Sequence, residues 1–538
     1  MLDLVWTLCS YVLYCLLGLA LYMVFTVVIQ PYLMRRHYRK YSNVHISDEY
    51  LPIMGNFIEI MGSIKNGFVY YHHLRTNNSD ICKKDMRLDY EASEPVFKMV
   101  SHQAHQGLSD LIPSKIDRYP DNLGFGKMTL TAFSQVKTVP QQKKRRAAFM
   151  KLLSLNSSSR YIPDFIDCMK DITKEWKNGE SYKCVKEMNY FTFTVFMHVL
   201  FGKDLQHFAT HEVDYINGSN QIEKLPFREF FILVTKDLAY GWVHPLTLVL
   251  PLLNEYNLVN PFKRNLKNEY NLVNPFKRNL KNVEVFRTTL HEITSKCKDE
   301  GSIYYKLTQD KDNKEEDIFE DIIAFMLAGT ETSSHAIGSA IYFLKKNPKC
   351  LTKLMDEFES NGFSRSGHSE DYYSLDNIHK MDYLNYVVKE ALRIDTPGVE
   401  SLLYKTKENV VICGVPIKKN THVSADIVST NYNPYEWQKP HEFIPERFDP
   451  ESEYFKKPES ENGVEVSKSR AFMGISFTYG ERKCPGQSFA LIEIKVALTY
   501  LLTHFEFNVA QEFLEKKGVG FAIGSEDDIN MKITKLDC

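Results

Sequence analysis

The ten residues Phe477–Gly486 read F-T-Y-G-E-R-K-C-P-G. Pro485 suits the first turn of a helix, where its missing N–H costs nothing and its φ is preset. Cys484 therefore stands at a helix N-terminus, where free N–H groups and the helix dipole stabilise a negative sulfur. The thiolate is the form of cysteine that binds metal. Gly480 permits a tight turn ahead of it. A second chemical group is the run Ala328-Gly329-Thr330-Glu331-Thr332-Ser333. There Glu331 and Thr332 put an acid and a hydroxyl into a stretch that is otherwise apolar. A threonine in such a place can simply bond back to the preceding turn and bend the helix. Beside an acid, it can also handle protons.

These residues need elements to hold them. Asp317–Lys346 reads as one long helix, apolar almost all round through Ile318, Ile322, Phe325, Met326, Ile337 and Ile341, and so buried. It should stop near Lys346, because Pro348 disfavours helix at Asn347. A further helix should follow Pro485 through Phe489, Ala490, Ile494, Val496 and Leu498. Glu390-Ala391-Leu392-Arg393 places an acid and a base at i and i+3 on one helix face. Pro445-Glu446-Arg447-Phe448 supplies another cation later in the chain.

Taken together, these segments resemble the cytochrome P-450 family. Phe477, Gly480, Arg482, Cys484 and Gly486 match F-x-x-G-x-R-x-C-x-G at every fixed position, a coincidence expected in about one chain in 10⁴ of this length. The glutamate–arginine pair, the P-E-R-F segment and the Ala-Gly-x-acid-Thr run follow the family's order. The resemblance implies a mainly α fold with a smaller β region and one N-terminal transmembrane helix. It implies haem as cofactor, with Cys484 as the axial thiolate that favours O–O cleavage. Arg482 would pair with a haem propionate, and Gly486 would let the helix backbone approach the porphyrin. Ala328 and Gly329 would leave room for dioxygen, and Glu331 and Thr332 would guide protons as catalytic residues. Glu390, Arg393 and Arg447 would form a buried structural triad.

Two positions depart from the pattern. The family's W-x-x-x-R segment corresponds to Gln141–Arg145, so Arg145 fits the propionate arginine while Gln141 replaces tryptophan. A second propionate arginine, usual in the strand after the E-x-x-R helix, is replaced around Tyr404-Lys405. Lys405 would substitute only as a point charge. Neither departure touches Cys484.

The chain has 538 residues, 66 Lys plus Arg against 68 Asp plus Glu, 43 % apolar and 25 % charged residues. Such a composition excludes a disordered chain and a collagen-like fibre, and the balanced charge argues against nucleic acid as partner. Ten cysteines are scattered without a C-x-x-C pair, so no zinc site or disulfide framework is indicated. From Leu4 to Ile29 no residue carries a formal charge. As a helix this run extends about 39 Å, enough to cross a bilayer core of about 30 Å. The basic cluster Arg35–Lys40 follows it, which favours a retained anchor with residue 35 onward in the cytosol. The expected organisation is a transmembrane signal-anchor helix at 1–31, a basic linker with a Pro52/Gly55 hinge at 32–56, and a haem-binding catalytic body at 57–538. Residues 140–300 read as mostly helical. Within them, Asn254–Lys267 is repeated identically as Asn268–Lys281. A single tandem copy is not a solenoid and reads as a duplication tolerated in a surface connection.

The resemblance implies a monooxygenase that inserts one atom of dioxygen into a small lipophilic substrate and releases the other as water. Residues near 105–137, Phe325, Val399–Leu403 and Gly518–Ile523 are the expected lining. No dinucleotide fingerprint or fused flavin domain is evident, so electrons would come from a separate NADPH-dependent flavoprotein reductase. Lys143, Lys144, Arg145, Arg146 and Lys483 are a candidate docking patch for it. The partners are then this reductase, membrane lipid and the substrate, and the location is the endoplasmic reticulum membrane, single-pass, with a cytosolic body. Two alternatives stay open: a haem-thiolate isomerase or dehydratase acting on peroxides, and a haem protein that senses a ligand without turnover.

Overall fold

The computed structural model describes residues 2–47, 50–51, 55–56, 81, 83–91, 94–119, 129, 131–242, 274–365, 370–455, 475–509, 517–518, 524–525 and 528–536. The chain opens on helix α1 (Leu2–Val24), passes through a π-helical turn at Phe25–Ile29 and continues as α2 (Gln30–Tyr38). From Tyr11 onward its apolar side chains are largely exposed, and Tyr11–Tyr38, 28 residues, is long and apolar enough to span a bilayer. A π turn interrupts the i→i−4 ladder, and the hydroxyl of Tyr50 donates to Val27 O at 2.8 Å. Farther along, Tyr90 donates to Pro31 O at 3.3 Å and Tyr38 to Pro416 O at 2.6 Å. Tyr38 also meets Phe97 edge-on, with ring centroids 4.9 Å apart. The stretch expected as a basic linker is therefore helix as far as Tyr38. It then enters the sheet as β1 (Val44–Ile46). Leu51 and Gly55 exchange N–H···O bonds of 2.8 and 2.7 Å, with Gly55 at φ 60°. Pro52 lies outside the described residues.

The larger sheet has six strands. β2 (Met86–Glu91) and β3 (Glu94–Met99) form a hairpin, and α3 (His102–Leu111) leads to β4 (Ile116–Arg118). Much later in the chain come β5 (Tyr404–Thr406), the hairpin β6 (Val410–Ile412) and β7 (Val415–Ile417), and β8 (His422–Ala425). The spatial order is β1-β2-β3-β8-β5-β4. In this register Arg118 stands directly opposite Tyr404. Tyr38, Leu88, Phe97, Ile412 and Val423 belong to the apolar layer beneath.

A second, larger core is helical. It includes α4 (Pro140–Leu152), α5 (Ile162–Thr173), α6 (Cys184–Phe201), α7 (Phe227–Trp242) and α8 (Asn274–Lys296). The long helix α9 (Glu315–Lys346) is followed by α10 (Pro348–Ser360), α11 (Asp382–Ile394) and α12 (Gln487–His504). As the proline rule requires, α9 ends at Lys346 with Asn347 as its C-cap, and α10 begins at Pro348. The described part of 140–300 is mostly helical, as expected, but between α6 and α7 Glu212–Ile216 and Ile222–Pro226 pair as an antiparallel hairpin. The Asn217 side chain accepts from the N–H groups of Ser219 and Gln221, and Asn220 takes φ 59°. Side-chain bonding of this kind favours a turn over a helix. Most of the tandem repeat lies outside the described residues. Its second copy enters them at Asn274, where Pro275 sits in the first turn of α8, a position that tolerates proline.

Candidate functional site

The cysteine loop is built by two 3₁₀ turns, Ile475–Phe477 and Gly480–Arg482. Thr478 and Gly480 carry positive φ of 55° and 70°. At Gly480 a Cβ would also lie 2.1 Å from Ser109 Oγ, so only glycine fits. The backbone of Cys484 donates to Phe477 O at 2.9 Å, which closes the loop. Gly486 caps α12. A Cβ there would make only ordinary contact, 3.6 Å from the Phe325 ring, so the protein's own atoms do not demand glycine. That contact brings α9 against the cysteine loop. Cys484 is half-buried. Burial pushes its thiol up, while the N–H groups of Gly486 and Gln487 and the charge of Arg146 pull it down. These are the helix-terminus donors expected of a stabilised thiolate.

Along the middle of α9, from Ile318 to Leu344, the residues that are not fully buried are Ala324, Ala328, Gly329, Thr332 and Phe343. The first four lie on one face, at the spacing of successive helical turns, and all but Thr332 are Ala or Gly. Gly329 has a further reason to be small. A Cβ on it would lie 2.1 Å from the Phe196 ring of α6. Thr332 donates back to Ala328 O at 2.7 Å. Glu331 is buried, and Thr235 of α7 donates to its Oε1 at 2.5 Å.

Glu390, Arg393 and Arg447 do meet, fully buried. Arg393 grips the carboxylate with two bonds of 2.8 Å, and Arg447 Nε reaches Glu390 Oε1 at 3.0 Å. Their remaining donors serve backbone carbonyls, among them Asn431, Pro440 and Glu442.

The arginines of the expected propionate site are placed less simply. Arg145 does not turn toward the cysteine loop. It binds Asp321 of α9 through Nε at 2.8 Å and Nη2 at 2.5 Å, and also donates to the carbonyls of Thr131 and Asp317. A buried carboxylate with bidentate geometry outcompetes other partners. The adjacent Arg146 points to the loop instead and donates to Lys483 O. Arg482 donates to Phe133 O, Val136 O and the Thr138 hydroxyl. Burial and the neighbouring Arg118 and Arg146 charges lower its pKa to about 10, against the pull of Asp117. Arg118, missed in the sequence, completes the group. Its guanidinium lies 4.2 Å from the Tyr404 ring centre and donates to Leu402 O at 3.0 Å. Its Nε is buried with no hydrogen-bond partner among the described residues. Lys405 sits over Tyr119 instead. The sequence alone points to Lys405 instead, because the pairing that sets Arg118 opposite Tyr404 is a long-range one.

The donor set fits a haem. A sulfur held by two N–H groups, a small-residue helix face against the cysteine loop, and three clustered arginines with a spare buried N–H suit a metal-bearing dicarboxylate macrocycle. The surface cations fit a docking patch less well. Lys143 pairs with Glu481 at 2.7 Å, and Lys144 with Asp310 and Asp312 at 3.1 and 2.6 Å. With Arg145 and Arg146 turned inward, the surface charge is lower than the sequence suggests.

A helix-rich body with a cysteine loop facing a long, locally small-faced helix defines a haem-thiolate class of protein. Comparison with known proteins agrees. The family model described as Cytochrome P450 matches residues 49–522, and the chain belongs to that family. Human Cytochrome P450 4V2 is 24 % identical over 383 residues, which is 68 % of each chain. Rat Cytochrome P450 3A9 is 31 % identical over 220 residues, 40 % of this chain and 39 % of that one. Probable cytochrome P450 4e1 of Drosophila melanogaster is 30 % identical over 202 residues, and the alignment spans 34 % of its length.

Proposed function

We propose that the protein is a membrane-anchored haem-thiolate monooxygenase that oxidises a small lipophilic molecule with electrons from a separate NADPH-dependent flavoprotein reductase. The observation that carries it is the half-buried Cys484 at the N-terminus of α12, packed across Phe325 and Gly486 from the Ala328–Thr332 face. Bound haem supplies the oxidising chemistry. The chain's own residues do the rest. Cys484 would present the thiolate, with the N–H groups of Gly486 and Gln487 and the Arg146 charge opposing the upward push of burial on its thiol. Arg118, Arg146 and Arg482 would hold the haem propionates. The apolar core around Phe196, Phe325 and Phe489 excludes water. Thr332 offers its hydroxyl on the small-residue face, and Glu331, tied to Thr235, stands one residue away as a proton source.

Residues 1–31 are proposed to anchor the chain in the endoplasmic reticulum membrane, with the haem-bearing body 57–538 in the cytosol. The test is the difference spectrum of the dithionite-reduced, carbon-monoxide-bound protein beside Cys484→Ala. A band near 450 nm, the family's signature, that vanishes in the variant establishes the thiolate ligand. A band near 420 nm, or none in folded protein, overturns it.

A further inference from the structure

The face of α9 that carries Ala328 and Thr332 continues toward the C-terminus through His335 and Ser339, three and seven residues beyond Thr332. Both are buried. His335 Nε2 lies 3.0 Å from Asp395 Oδ2, and the two side chains are 2 % and 3 % exposed. Ser339 donates to the same carboxylate oxygen and lies 3.4 Å from His335 Nε2. Nδ1 of His335 has no hydrogen-bond partner among the described residues. A bare imidazole nitrogen is a cheaper orphan than an unpaired N–H, so His335 donates from Nε2 to the aspartate.

Asp395 is the residue at which α11 ends. Four residues later begins Val399–Leu403, the segment expected to line the pocket. One buried carboxylate thus ties the dioxygen face of α9 to the helix of the Glu390–Arg393 pair and to the root of that segment. A paired charge contributes little net stability in such a core. What it supplies is direction: an imidazole and a hydroxyl one turn apart, both aimed at one oxygen, fix the rotation of α9 about its own axis.

We propose that His335, with Asp395 and Ser339, is a positioning residue that sets the direction of the Thr332 hydroxyl for proton handling on the dioxygen face. The inference rests on the monooxygenase reading. Its chemistry is the partition of reduced dioxygen when no substrate is present. One NADPH, one proton and one O₂ give NADP⁺ and H₂O₂. Two NADPH, two protons and one O₂ give two NADP⁺ and two H₂O. Misdirected proton delivery favours the first.

The test uses the full chain in bilayer discs with a microsomal NADPH-dependent flavoprotein reductase, measuring NADPH, dioxygen and peroxide together. His335→Leu/Asp395→Leu replaces the pair by apolar volume, and His335→Gln keeps a donor toward Asp395. The peroxide fraction is expected to rise at least about threefold in the double variant and to return close to wild type in His335→Gln. The infrared stretch of carbon monoxide bound to the reduced protein should shift in the first and recover in the second. A double variant that keeps its 450 nm band, its peroxide fraction and its carbon monoxide stretch overturns the proposal. If the double variant does not hold haem, Ser339→Ala decides: a raised peroxide fraction supports the clamp, and an unchanged one overturns it. A wild-type protein that consumes no dioxygen with NADPH sinks the monooxygenase reading instead.

Discussion

Arg118 reaches across a strand boundary to lie over the ring of Tyr404, the residue directly opposite it in the β4–β5 pairing. The cation lost from one strand is supplied by its neighbour, and the ring that replaced it becomes its support. Arg118→Gln should leave the sheet intact and speed haem loss about tenfold, the cost of a hydrogen bond to a charged group. Transfer of haem to apomyoglobin, followed in the Soret band, measures this. Adding Tyr404→Arg to that variant should slow the loss again, because a guanidinium returns from the partner strand.

Glu390 holds two buried arginines with one carboxylate. Glu390→Gln leaves both cations without a counter-charge in a water-free place. A loss of about 3–5 kcal/mol is expected, seen as a lower denaturant midpoint or as failure to accumulate folded protein. Replacing Glu446, half-exposed and paired with Lys353 at 2.5 Å, should cost about 1 kcal/mol or less.

Glu493 on α12 is fully buried, and burial raises its pKa to about 8, opposed only weakly by the Ser333 hydroxyl. Its folded pKa therefore lies above the unfolded value. The folded state binds the extra proton, and stability falls as pH rises between about 4.5 and about 8. Glu493→Gln removes that decline. Relative to wild type, the variant should gain about 3–5 kcal/mol between pH 5 and pH 8, read from denaturant midpoints across that range. Equal slopes for both proteins would contradict the buried, protonated acid.

Much of this site could be read before any fold was known, because the loop chemistry is local. A tight turn at Gly480, a helix opening after Pro485 and a stop near Lys346 follow from neighbouring residues. The Glu390–Arg393–Arg447 meeting needed the family's order as well. What resisted reading was decided at long range. Whether Arg145 or Arg146 faces the loop depends on Asp321, which lies on another helix. Gly329 is small partly because Phe196 of α6 needs the space. His335 carries no local signal, because its partner Asp395 comes from the end of α11. Glu493, by contrast, could have been noticed: the one acid of α12 stands between Ile492 and Ile494, in a stretch rich in apolar residues.

Tyr38 ends the N-terminal helix and is at the same time a member of the sheet's apolar layer. A helix whose last turn is locked into a sheet is a mast, not a leash. The body cannot swivel beneath it without unpacking Tyr38 from Phe97 and releasing Tyr50 and Tyr90 from the helix carbonyls. Its attitude to whatever surface holds the first turns is thus written into the packing. Shortening the chain ahead of Phe25 keeps that joint, whereas trimming past Tyr38 removes part of the core itself.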